Sequence, residues 1–231
     1  MENSENKSLI SKSSSNLSKT EKLLSITQKI LSEIKPQYES VRIGDQLWMT
    51  RNLDVDRFRN GDLIPHVKSD EELKKVGKNG QPAWCYYDDD TENGKKYGKL
   101  YNWYAVNDPR GLAPKGWHIP SNEEWNILED FLGDAQGYIM KSVEGWEGWD
   151  DEYGEFQNGN GDNSSGFNAL PGGYRDSDGS FGSFRNNAFF WGATEGGNDA
   201  WNRSLSNYYV YFFWGGSKEQ DGFSVRCLRD D

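Results

Sequence analysis

The sequence predicts an α+β domain of small mixed or antiparallel sheets, two or so short helices and long loops, preceded by a separate N-terminal helix. Three observations carry this. Short aromatic-rich strand segments are punctuated by turn residues, and 26 glycines in 231 residues supply the tight turns such a domain needs. One segment carries a complete helix-start signal. Only 34% of the chain is hydrophobic while 14% is aromatic, so the core rests on Trp, Tyr and Phe more than on aliphatic residues.

Residues 1–19 are rich in Ser, Asn and Lys and are expected to be disordered. Over residues 20–35, Leu23, Ile26, Ile30 and Ile34 recur at helical spacing, with Leu24 and Leu31 widening the stripe. Thr20 is the expected N-cap and Pro36 ends the helix. Leu23, Ile26 and Ile30 fit a–d–a positions, so this helix either makes a homo-oligomeric coiled coil or docks on its own domain; two heptads do not decide. Residues 36–40 read as a linker and 41–231 as the main domain.

Within that domain Gln46-Leu47-Trp48-Met49 reads as a strand after the turn Gly44-Asp45, and Asn60-Gly61-Asp62 as a turn. Ser69 caps a short helix to Val76. Ala83 to Tyr87 is a strand candidate, Asp88 to Lys96 a polar loop, and Leu100 to Val106 an inward-packing segment. Ser121-Asn122-Glu123-Glu124 is a capping box, with Trp125, Leu128, Phe131 and Leu132 as the helix's apolar face and Gly133 as its stop. Tyr138 to Glu144 is a second short helix. Residues 146–180 read mostly as loop, a length that is often functional.

The formal charge of −11 argues against nucleic-acid and anionic-membrane partners. Residues 1–35 carry six Lys against four Glu, whereas the remainder carries 20 basic and 33 acidic groups, so the folded part is the acidic part. No apolar run reaches the roughly 20 residues of a membrane helix. The N-terminus lacks an apolar h-region, so the chain is expected to be cytoplasmic at synthesis, with no membrane insertion. Cys85 and Cys227 could pair or stay as buried thiols; they make neither a disulfide framework nor a zinc motif.

His66 and His118 are isolated in sequence. His118, between Trp117 and Ile119, reads as a hydrogen-bonded structural residue. No nucleophile-elbow, zinc-protease or P-loop pattern is present. Two acidic loops, residues 88–94 and 158–163, have calcium-loop composition, but neither fits the EF-hand register, and solvated turns are the default. No metal and no cofactor are expected.

The C-terminal tract is the most informative. Phe189, Phe190, Trp191, Trp201, Tyr208, Tyr209, Tyr211, Phe212, Phe213 and Trp214 are too many aromatics for one buried face of a strand. Alternation puts Trp201, Arg203 and Leu205 toward the core and Asn202, Ser204 and Ser206 outward. Beyond a turn near Asn207, Val210 and Phe212 face in while Tyr209, Tyr211 and Phe213 face out. The expected ligand face is therefore Asn202, Ser204, Ser206, Tyr208, Tyr209, Tyr211, Phe213 and Trp214, with aromatic anchors. The bland alternative is an aromatic hairpin buried against the long loops.

Four blocks carry a family resemblance. They are Tyr97-Gly98-Lys99-Leu100-Tyr101-Asn102-Trp103-Tyr104-Ala105-Val106, residues 114–125 (PKGWHIPSNEEW), residues 165–175 (SGFNALPGGYR) and Gly222-Phe223-Ser224-Val225-Arg226-Cys227. Together, from about residue 41 to the end, they resemble the Fibrobacter succinogenes major paralogous domain family. The resemblance implies a C-type lectin-like fold akin to the formylglycine-generating-enzyme group. That group's activity needs a close cysteine pair, which Cys85 and Cys227 do not supply, so no enzyme activity is carried over. Family members are usually exported with a signal or lipoprotein peptide, and many have Cys where this chain has Ala113; both are departures here.

Residues 201–223 further resemble the variable region in targets of diversity-generating retroelements. Asn, Ser, Tyr, Phe and Gly are all reachable from an AAC codon by altering its adenines. The expected function is non-catalytic recognition of a protein or glycan ligand. Two rivals stand beside it: an enzyme on the same scaffold acting on glycans, and an assembly protein whose aromatic face is a subunit contact.

Overall fold

The computed structural model describes residues 37–197 and 199–230, together with Glu21, Lys22 and Leu24. The chain divides into two units, Met1–Tyr38 and Glu39–Asp231. In the first, Glu21, Lys22 and Leu24 are helical and exposed. The expected disordered tail and the rest of the amphipathic helix, with Leu23, Ile26, Ile30 and Ile34, lie outside the described residues.

Strands β1 (Ser40–Ile43) and β2 (Gln46–Met49) form a hairpin whose turn places Gly44 at φ +58°, a left-handed conformation that glycine adopts without strain. The last strand, β13 (Leu228–Arg229), inserts between β2 and β5 (Trp117–His118), giving the four-stranded order β1-β2-β13-β5. Residues 228–229 thus sit inside a sheet.

Helix α1 (Asp70–Lys78) starts at a Ser69–Glu72 capping box. Strand β3 (Trp84–Cys85) pairs with β4 (Leu100–Tyr101), shorter than the segment expected from Ala83 to Tyr87. Between them, residues expected as a polar loop form helix α2 (Thr91–Tyr97), because the Asp90 side chain accepts the Glu92 amide at its start and Gly98 closes it. Helix α3 (Trp103–Val106) completes the buried segment.

Helix α4 (Asn122–Leu132) begins at the Ser121–Glu124 capping box and ends at Gly133. It buries Trp125 and Leu128; Trp125 lies 4.6 Å from Trp48, 5.5 Å from Phe212 and 6.0 Å from Phe190 between ring centroids. Phe131, expected inward, is largely exposed, with one side of its ring against Gly44 in the β1–β2 turn. Helix α5 (Gln136–Met140) follows. Residues 146–180 are mostly loop, stapled by two small hairpins, β6 (Trp149–Asp150) with β7 (Phe156–Gln157) and β8 (Tyr174–Arg175) with β9 (Phe181–Gly182).

Strands β10 (Asn187–Gly196), β11 (Asp199–Ser206) and β12 (Phe212–Ser217) form an antiparallel sheet with β11 in the centre. Ala188, Phe190, Leu205 and Phe212 join Trp48, Trp125, Leu128 and Phe167 in the main core. Arg226 is completely buried. Its guanidinium donates to Asn52 Oδ1 and to the carbonyls of Met49 and Phe167, lying 4.4 Å over the Phe167 ring. It joins the β2 end to the loop block, a role its charge conceals in the sequence. Among the described residues no helix is long and apolar enough to cross a membrane.

Candidate functional site

Four exposed aromatics, Tyr208, Tyr209, Tyr211 and Phe213, lie at the β11–β12 connection. In register across the sheet, Phe189 of β10 faces Ser204 of β11, and Ser204 faces Phe213 of β12. The row continues into the loop: Phe213 meets Tyr209 edge-on at 5.3 Å, Tyr209 lies 5.7 Å from Tyr208, and Tyr208 stacks on Trp149 at 4.5 Å. Tyr208, Tyr209 and Tyr211 are 53%, 51% and 54% exposed. Ser204 and Phe189 are partly buried members of the row.

Residues 207–211 are fixed mainly through their backbone. The Asn207 amide donates to Asn186 O at 2.7 Å, and the Tyr138 amide donates to Val210 O at 3.2 Å. Lys141, itself buried, donates from Nζ to Ser206 O at 3.0 Å and Tyr209 O at 3.3 Å. Burial pushes the Lys141 ammonium down to about 8. The Tyr208 amide donates to Ser206 Oγ, and the Asn207 side chain to Glu147 O. Gly137 leaves no room for a Cβ against Tyr211 O, so α5 sits directly on this connection.

The expected arrangement of the tract needs five corrections. Asn202 is 4% exposed and donates to Gly215 O and Ser217 Oγ, so its amide is spent within the sheet. Ser206 is buried as well, with its Oγ accepting the Tyr208 amide. Strict alternation fails because the neighbouring strand takes up the Asn202 amide and the loop after Ser206 takes up its hydroxyl, while Ser204 between them stays partly exposed. Val210, expected inward, is exposed, because residues 207–211 are a loop and no strand period applies to them. Trp214 is exposed but lies apart from the tyrosines. In register it pairs with Arg203 and it packs on Trp201 at 5.1 Å, on the face of β11 that α4 covers. Trp201, expected in the core, is half-buried at that rim.

A second concavity of about 650 Å³ lies beside the capping box, lined by Arg42, Asp45, His118, Glu124, Ile127 and Asp230 among others. His118 bridges two carboxylates, Nε2 to Glu124 and Nδ1 to Asp230, each at 2.8 Å. Burial opposes its charge, yet these two partners outweigh it and hold its pKa above the ordinary value. Glu124 is held below its ordinary value: burial opposes this, and the Ser121 amide and His118 prevail. The lining residues offer no hydroxyl or thiol. Both imidazole nitrogens are engaged, so His118 acts as a brace between the C-terminal strand and the start of α4.

Cys85 and Cys227 are free, buried thiols, each pushed up to about 12 by burial. The two acidic loops use their oxygens locally: Asp90 caps α2, Asn158 Oδ1 accepts the Asn160 amide and Asp162 Oδ1 accepts the Ser164 amide. Among the described residues no three His, Cys, Asp or Glu side chains converge as a metal site.

Compared with known families, residues 41–229 match the Fibrobacter succinogenes major domain. No curated protein and no solved structure matches the chain.

Proposed function

We propose, for a chain that belongs to the Fibrobacter succinogenes major domain family, that residues 39–231 form a non-catalytic recognition module of C-type lectin-like fold. Its ligand face is the row of Phe189, Ser204, Phe213, Tyr209, Tyr208 and Trp149, with Tyr211 beside it. One observation carries this reading: residues 207–211 are tied down through main-chain carbonyls and amides, while their tyrosine side chains stay about half exposed. A scaffold that holds a loop by its backbone tolerates exchange of the side chains it displays. Tyr and Phe bring large contact area at a small entropic cost.

The same arrangement suits a variable region in the manner of a diversity-generating retroelement target. Under that reading Tyr208, Tyr209, Tyr211 and Phe213 differ between lineages, while Leu205 and Phe212 stay. The flanking DNA tests it directly: a near-copy of the segment encoding residues 201–227 beside a reverse-transcriptase gene is expected. A lone coding copy with no such gene would contradict it.

The recognition reading itself is tested on peptide and glycan arrays. The wild-type chain is compared with a triple variant carrying Tyr208→Ser, Tyr209→Ser and Phe213→Ser. Loss of an aromatic anchor costs about 2 kcal/mol or more, so array signals are expected to fall by about thirtyfold at an unchanged fold. Signals equal in both proteins would refute the assigned face. Sizing the same two proteins tests the assembly reading, in which only the wild type would associate.

A further inference from the structure

On the α4-covered face of β11, opposite Ser204 and Phe213, lies a hollow of about 190 Å³ lined by Asn122, Asn126, Trp201, Arg203 and Trp214. Its floor is a cation. Arg203 is 3% exposed, donates from Nη2 to Asn126 Oδ1 at 2.8 Å and from Nη1 to Asn122 Oδ1 at 3.3 Å, and keeps a buried Nε without any partner. Asn122 and Asn126 stand four residues apart on α4 and so present their amides to the same side. Among the described residues no carboxylate pairs with Arg203, and Glu129 acts on it only through space.

Arg226, equally buried and also without a carboxylate among the described residues, has Nε, Nη1 and Nη2 all donating, whereas Arg203 keeps Nε unspent, and neutral oxygens recover only part of the hydration a buried guanidinium gives up. Burial accordingly pushes the Arg203 pKa down. The open need is specific: Nε–H together with the remaining Nη2–H is the edge that takes a carboxylate through two parallel hydrogen bonds. Trp201 and Trp214 wall the hollow, and Trp214 is 65% exposed at its rim. The volume falls below the roughly 300–1,000 Å³ of pockets that hold whole small molecules, so it suits one side chain of a larger ligand. Trp and Arg are also the residues in which binding energy concentrates.

We propose that this hollow is a socket for a carboxylate, supplied by an Asp or Glu side chain of a protein ligand. The socket is on the other side of the sheet from the tyrosine row and stands independently of that row's role. In a protein of net charge −11, a single uncompensated cation at the base of two indoles gives an acidic side chain a local, selective attachment point.

Acetate is the probe. The full chain is labelled with fluorotryptophan, and its fluorine NMR lines are assigned with Trp201→Phe and Trp214→Phe. Titration with sodium acetate at constant ionic strength is expected to move the Trp201 and Trp214 lines to saturation, with sodium chloride leaving them in place. Arg203→Gln is expected to abolish the saturable response. Asn126→Asp places a carboxylate against Nη2 within the protein, so it is expected to abolish the acetate response and raise the melting temperature together. If Arg203→Gln does not fold, Asn126→Asp decides alone. No acetate response in the wild type, an equal response to chloride, or a saturable response that survives in Asn126→Asp would each overturn the socket.

Discussion

Lys141 Nζ reaches the carbonyl oxygen of Ser206 at 3.0 Å, from the end of α5 to the end of β11. Because the same ammonium also donates to Tyr209 O, one buried side chain holds both the start and the middle of the segment that displays the tyrosines. Lys141→Met keeps the stem and removes the donor. Leaving two carbonyls without it is expected to cost about 1–3 kcal/mol locally. Amide exchange across residues 207–211 should quicken while α4 and β2 keep their protection. Unchanged exchange in that loop would show that Lys141 does not hold it.

The His118 brace makes stability depend on pH in a defined direction. His118 has a raised folded pKa, so its contribution is fully present below its ordinary 6.5 and is lost as pH rises through the folded value. Glu124 has a lowered one, so its contribution is present above its ordinary 4.5 and is lost as pH falls through the folded value. Asp230→Asn removes one of the two carboxylates that raise His118, so the melting-temperature gap from wild type is expected to be wide just below 6.5 and to narrow as pH rises through the folded value of His118. A gap that widens on going alkaline would contradict the ion-paired geometry.

Much of this fold is legible in local sequence. The capping boxes at Ser69 and Ser121, the strand at Gln46–Met49 and the burial of Trp125, Leu128, Leu205 and Phe212 follow from signals a few residues long. What local reasoning misses is tertiary. Asn202 and Ser206 look like an outward face until a third strand and a neighbouring loop absorb their polar groups. Thr91–Tyr97 looks like a polar loop because its stabilisation comes from the Asp90 cap and a buried Tyr97, not from an apolar stripe. Arg203, Arg226 and Lys141 are buried cations whose acceptors lie far away in sequence. No spacing rule announces them.

The thiols give a third expectation. With both sulfurs buried and their pKa values pushed up to about 12, neither forms appreciable thiolate near neutrality. The native chain is expected to leave a colourimetric thiol reagent unreacted, and denaturant should release two equivalents. Rapid reaction of either cysteine in the native state would place it at the surface and reopen a chemical role.

Under the proposed recognition face, the tyrosines at 209 and 211 are displayed by the scaffold and are not part of it. Thermal melts of Leu205→Ala, Tyr209→Ser and Tyr211→Ser, run side by side, separate the two possibilities. Leu205, completely buried between Ala188 and Phe212, is expected to cost about 2–5 kcal/mol when truncated. Each tyrosine variant is expected to cost under about 1 kcal/mol, as ordinary surface substitutions do. Should Tyr209→Ser and Tyr211→Ser melt as low as Leu205→Ala, the loop is core and the recognition face does not exist.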